Sequence, residues 1–183
     1  PETLGAALTE FLDAKKHKLK PASVSDHQKT FRNCFGDWTK LPTQQLSRRM
    51  VQERYGQLLE DKSPAYVNKA FRNLRSFLNF SGVSPNPVDI LTQKGLWAHV
   101  NPKDRFLTGW EICKLFETYK TFRPEVCRVA LFCIMTGVRH TEVLDLKWKD
   151  IRDGKAYFTE TKNKKTHFIP LVGQLPELIG EKG

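Results

Sequence analysis

Apolar residues recur every three or four positions through residues 1–82, the spacing of one buried helix face. Leu4, Ala7, Leu8, Phe11 and Leu12 form a first stripe, and Val24, Phe31, Phe35 and Trp38 a second. Leu46, Met50, Val51, Tyr55, Leu58 and Leu59 mark a third, and Val67, Ala70, Phe71, Leu74, Phe77 and Leu78 a fourth. Pro21 and Pro64 stand where helices two and four would start, a position where proline's missing N–H costs nothing, and Ser63 is a natural N-cap before the latter. Four helices are predicted over residues 3–82.

The pattern then breaks. Pro85, Asn86, Pro87, Gly95, Asn101 and Pro102 disfavour regular structure, so residues 85–104 are expected to link a domain over 1–84 to a second over 105–183. Leu107-Thr108 would cap a helix carrying Trp110, Cys113, Leu115, Phe116 and Tyr119. A second helix follows Pro124 through the apolar Val126–Met135, and a third starts near Arg139 with Val143, Leu144 and Leu146. After these the period shortens to that of strands. Residues 155–160 and 166–171 are β-rich around the polar turn 161–165, which predicts a hairpin. The expected fold class is mainly α, a four-helix domain followed by an α-rich domain with one small antiparallel β-hairpin.

Charge narrows the partners. The formal net charge is +10, +6 of it in residues 1–82 and +4 in the remainder, so the excess sits on folded surface and points to a polyanion, nucleic acid before membrane. The longest apolar run, Val129–Met135, is far below the roughly 20 residues of a membrane span. No secretory signal opens the sequence, and a cytoplasmic protein without membrane contact is expected. The four cysteines, Cys34, Cys113, Cys127 and Cys133, lack metal-ligand spacing and lie in apolar runs, so they are read as buried reduced thiols, with no metal and no cofactor. The first residue is Pro1 and not Met, from which a piece of a longer product is expected.

The fourth helix places Lys69, Arg72 and Ser76 opposite its apolar stripe, flanked by Asn68, Arg75 and Asn79, with Tyr66 in its first turn; it contains no acid. The second helix adds Ser25, Lys29, Arg32 and Asn33, with Lys20 just before it. These side-chain types reach phosphates and base edges. Lys103, Arg105, Lys164 and Lys165 extend the candidate double-stranded DNA contacts into the second half.

The segment Thr136-Gly137-Val138-Arg139-His140-Thr141-Glu142 places an arginine after a helix-breaking glycine, with a carboxylate three residues on. Phosphoryl transfer needs cations around the scissile phosphate and an acid for the departing oxygen. Arginine, with its permanent charge and planar fork of donors, suits the first role, and a lysine the second. Lys162 lies 23 positions after Arg139 in the predicted turn. Taken alone it is an ordinary polar turn residue, as the Arg139–Glu142 pair is an ordinary helix pair.

Together the Thr-Gly-x-Arg-x-x-Glu-x-x-x-Leu-x-Trp-x-Asp-Ile string of residues 136–151, the turn lysine and the following Ile169-Pro170-Leu171 resemble the tyrosine recombinases, or phage integrases. Arg105-Phe106-Leu107-Thr108 with Glu111 resembles the entry to that family's catalytic domain, and the helical region upstream its core-binding, SAM-like domain. The resemblance implies that Arg139 is the first catalytic arginine, Glu142 its supporting acid and Lys162 the catalytic lysine, with Lys164 competing for that role. It implies site-specific DNA integration and recombination through a phosphotyrosine link, without metal, by four identical protomers on two DNA sites. The family also uses a His-x-x-Arg box and a tyrosine nucleophile. None of His17, His27, His99, His140 and His167 is followed three residues later by Arg, and Tyr55, Tyr66, Tyr119 and Tyr157 all lie upstream of the nucleophile's place. These 183 residues are therefore expected to bind DNA without cleaving it. The alternatives are a non-catalytic DNA-binding protein or decayed prophage product on the same scaffold, and, more remotely, a basic protein adaptor.

Overall fold

The computed structural model describes residues 2–159 and 166–180, the side chains of residues 120 and 122 excepted. It divides into two units, Pro1–Lys103 and Asp104–Gly183.

In the first unit each apolar stripe becomes a helix: α1 Leu4–Lys15, α2 Pro21–Phe35, α3 Arg48–Asp61 and α4 Pro64–Phe80. Helix α4 packs on the other three, and its whole apolar stripe goes into the core: Val67, Ala70, Phe71, Leu74, Phe77 and Leu78 are all buried. Phe71 meets Phe35 and Tyr55 edge-on, with centroids 5.1 and 5.0 Å apart, a preferred aromatic geometry. Pro21 and Pro64 occupy the first helical positions as expected. Ser63 holds the N-cap of α4 without a side-chain hydrogen bond, whereas Thr3 and Ser47 do cap α1 and α3 through their hydroxyls. The start of α1 is tied down: Leu4 N–H donates to Leu41 O at 2.8 Å and Gly5 N–H to Thr39 O at 3.0 Å. A Cβ at Gly5 would stand 2.7 Å from the Thr39 methyl, so only glycine permits that approach.

Most of the stretch expected to be a linker belongs to this first unit. Residues Pro87–Asp89 form a 3₁₀ turn that runs into a short helix, α5 Ile90–Gln93, and Val88, Ile90 and Leu91 are buried in the same core. Asn86 starts this element by accepting the Val88 N–H at 3.0 Å while donating to Arg75 O at 3.0 Å. The prolines and Asn86 punctuate the chain without keeping it out of the core.

The second unit opens with the helices α6 Gly109–Phe122, α7 Pro124–Thr136 and α8 His140–Leu144. The Thr108–Glu111 capping box that opens α6 has both its bonds. A three-stranded antiparallel sheet follows, β1 Ile151–Arg152, β2 Lys155–Phe158 and β3 His167–Pro170, in the order β1-β2-β3. Strands β2 and β3 pair in the register Tyr157 with Phe168 and Phe158 with His167, the hairpin read from the sequence. Strand β1 is additional and joins β2 through Asp153-Gly154, both at positive φ (50 and 66), the two-residue turn that suits the twist of a hairpin. Alternation along β2 buries Ala156 and Phe158, which with Phe132, Val138 and Leu175, the last from α9 Leu175–Ile179, make a small core.

Two expectations change here. Helix α8 has only five residues, so Leu144 does not join a continuing stripe and is 65% exposed. All four cysteines are free, but Cys113 is exposed; Cys34 and Cys127 are buried and Cys133 half-buried. Burial pushes the Cys34 and Cys133 thiols up, away from the reactive thiolate.

Candidate nucleic-acid interface and the Arg139 site

On the first unit, α2 and α4 lie against each other. Lys20, Lys29, Arg32 and Asn33 are exposed on or just before α2, and Lys69 and Arg72 on α4, while Ser25 and Ser76 are half-buried. Three of the α4 and neighbouring cations have partners inside the unit. Lys69 Nζ donates to Asp26 Oδ1 at 2.6 Å, bridging the two helices. The Arg72 guanidinium lies over the Trp97 ring, 5.5 Å from its centroid. Arg75 Nε stands 2.7 Å from Asp89 Oδ1, an ion-pair contact off the line of a hydrogen bond. Lys29 and Arg32 project from the next turns of α2.

Asn68 departs from the sequence reading. It is 3% exposed, and its amide closes a ring within the unit. The Tyr55 hydroxyl donates to Asn68 Oδ1 at 2.5 Å, Asn68 Nδ2 donates to Ala98 O at 2.9 Å, and Ala98 N–H donates to the Tyr55 oxygen at 2.7 Å. Asn68 pins the 97–98 segment to α3 and α4 and is not available to a ligand. Tyr66 is half-buried against the first core. His27 sits beside Asp26, edge-on to Phe11 at 5.8 Å; burial pushes its imidazole pKa down, against the pull of Asp26 and with the push of Lys69 and Lys15.

In the second unit Arg139 is presented by a break between two helices. Helix α7 ends at Gly137, whose φ of +70 is the left-handed conformation that suits glycine. The Gly137 N–H still bonds Cys133 O at 2.8 Å. The chain then turns so that Val138 enters the core at 7% exposure, and Arg139 becomes the N-cap of α8 in extended conformation. This leaves the Arg139 side chain 50% exposed, while Glu142, three residues on, is 6% exposed. Arg139 Nη1 donates to Glu142 Oε1 at 3.0 Å. A buried carboxylate thus holds a half-exposed guanidinium, the arrangement of an anion site with a fixed cation. Glu142 also lines a cavity of about 330 Å³ with Asp145, Lys147, Asp150, Tyr157 and Thr159. Helix α8 and the end of β2 therefore border one cavity.

Lys103 is exposed at the end of the first unit. Arg105 is exposed but bonded to Glu111 Oε1 at 2.6 Å, so the capping carboxylate of α6 carries both. Lys162, Lys164 and Lys165 lie outside the described residues. No three His, Cys, Asp or Glu side chains among the described residues gather as a metal site. No helix among them is long and apolar enough to cross a membrane. The acidic partners Asp26 and Asp89 are not among the contacts expected from the sequence. For Asp26 a signal was present, since it is the one acid in α2 and α4 together.

No family model matches the chain. The integrase of Haemophilus phage HP1 (strain HP1c1) is 25% identical over 123 residues, 67% of this chain and 35% of the relative; the chain thus spans about a third of that relative's length. Among solved structures, a lambda integrase dimer bound to a core site superposes with a TM-score of 0.79 at 15% identity, covering 96% of this chain and 67% of the other. The Tn1549 transposon integrase in complex with transposon right-end DNA gives a TM-score of 0.79 at 15% identity, over 99% of this chain and 66% of the other. The helices and small sheet are thus those of the lambda and Tn1549 integrase structures, and two thirds of the chain is similar in sequence to a phage integrase.

Proposed function

We propose that the chain binds duplex DNA through the α2–α4 face of its first unit and supplies, in its second, the Arg139 half of a recombinase active site for site-specific integration. The observation that carries the reading is Arg139, half-exposed and tethered to the buried Glu142. A guanidinium in that position can bind a non-bridging phosphate oxygen and stabilise the charge that develops there during transesterification. Lys162 would protonate the departing 5′ oxygen, with Lys164 as the other claimant, and Lys164 and Lys165 would add phosphate contacts. A tyrosine and a second arginine from the rest of a complete recombinase would form the covalent link. Four protomers would assemble on two DNA sites, a reading supported by the lambda integrase tetramer bound to a Holliday junction.

Two outcomes test this. Affinity for a duplex should fall steeply with salt, with a log–log slope of about −0.9 for each phosphate contacted. A fluorescence-anisotropy titration that stays flat between low and physiological salt would remove DNA as the partner. Incubation of the 183-residue chain with suicide substrates should leave no covalent adduct on denaturing gels. An adduct on Tyr157, or on any other tyrosine here, would show that the nucleophile lies within these residues.

A further inference from the structure

Asp26 is the only acidic residue in α2 and α4, and it stands in the middle of the cations assigned above to DNA. Its Oδ1 accepts from Lys69 Nζ at 2.6 Å, and both side chains are 46% exposed. Lys29 follows one turn later on α2, and Lys15 of α1 lies over Phe11, 4.2 Å from the ring centroid, beside the His27 that neighbours Asp26. A pair this exposed contributes little to folding. Its location is where it acts.

We propose that Asp26 sets the affinity of the α2–α4 face for DNA, holding Lys69 in the free protein and competing with phosphate for it on binding. The inference rests on the DNA-binding reading above. One ammonium serves either the carboxylate or a phosphate. If Lys69 stays with Asp26 when DNA docks, the face has one cation fewer. If Lys69 leaves for a phosphate, the Asp26 carboxylate is left beside a polyanion. Both branches weaken the sequence-independent grip, which depends on the number of uncompensated cations and the counterions they release. Specific recognition is a difference between affinities for right and wrong sites. An acid that lowers the shared electrostatic part lets base contacts decide more of the outcome. Asp26 is a negative determinant of affinity.

The experiment uses the full chain and a duplex of arbitrary sequence, titrated at several salt concentrations. D26N keeps the size of the side chain and an oxygen for Lys69 but removes the charge. It should tighten binding about threefold to tenfold at low salt and steepen the log–log slope by up to about 0.9. In a Lys69→Ala background the same change should gain less, because the lysine it would release is gone. Asp26→Ser, which keeps a polar group without charge, should behave like D26N and covers the case in which the amide misfolds. Lys29→Ala with Arg32→Ala separates the two claims. If that pair weakens binding while D26N and Asp26→Ser leave affinity and slope unchanged, the Asp26 inference fails and the DNA face stands. If Asp26 variants lose affinity, Asp26 is an attractive contact and the inference is overturned. If the chain binds no duplex, both fall together.

Discussion

Phe71→Ala is expected to destabilise the first unit by about 3–5 kcal/mol and to lower its melting temperature by roughly 15 °C or more. Phe71 is fully buried on the helix that touches α1, α2 and α3, and its ring edges fit Phe35 and Tyr55. Truncation removes the apolar burial and leaves a hole that three helices would have to collapse into at once. It also withdraws support from Tyr55, whose hydroxyl holds Asn68 and Ala98, so the loss should spread to the 97–98 segment. Calorimetry of the chain and hydrogen exchange at the Ala98 amide would read both effects. Leu144→Ala, at a site 65% exposed, should stay within about 0.5 kcal/mol. A Phe71→Ala loss under about 1 kcal/mol would show that α4 is not the centre of the unit.

The first unit was legible because helical stripes report burial directly. Every apolar residue assigned to the face of α4 is buried. The flanks of that helix were not legible. Asn68 and Arg75 lie at the border of the stripe, where periodicity gives a direction but not what covers it. Asn68 is covered by the segment carrying Ala98, 30 residues later, and Arg75 faces Asp89. Residues 87–91 carry a linker signal because Pro and Asn dominate the local sequence. Their burial depends on a hydrophobic surface built by distant helices. The pairing of Lys69, a candidate DNA contact, is hidden for the same reason, its partner Asp26 being 43 residues away. In the second unit the Asp153-Gly154 turn signal was present, but a two-residue strand has no periodicity to read. The arginine segment was legible because its logic is local: Gly137 to turn the chain, Arg139 next to it, and Glu142 one turn on.

In a complete recombinase carrying this chain, Arg139→Ala should slow strand cleavage by about 10²- to 10³-fold, the cost of removing one charged donor from a phosphoryl-transfer site. The fold should survive, because the Arg139 side chain is 50% exposed and Val138 beside it supplies the packing. DNA affinity should change little, since one phosphate contact among several is lost. The defect then falls on the chemical step, as for an interaction made chiefly in the transition state. Arg139→Lys should recover only part of the rate. An ammonium keeps the charge but cannot hold Glu142 and a phosphate oxygen together with a planar fork. Glu142→Gln should cost less than Arg139→Ala, because the amide can still accept from Nη1 while the orientation of the guanidinium loosens. The order of rates should be wild type, then Glu142→Gln, then Arg139→Lys, then Arg139→Ala. Rates of covalent adduct formation on a suicide substrate, with affinities measured on the same duplex, give that order. If Arg139→Ala cleaves within a few-fold of wild type, the Arg139–Glu142 pair only joins α8 to its own start, and the catalytic cation lies elsewhere.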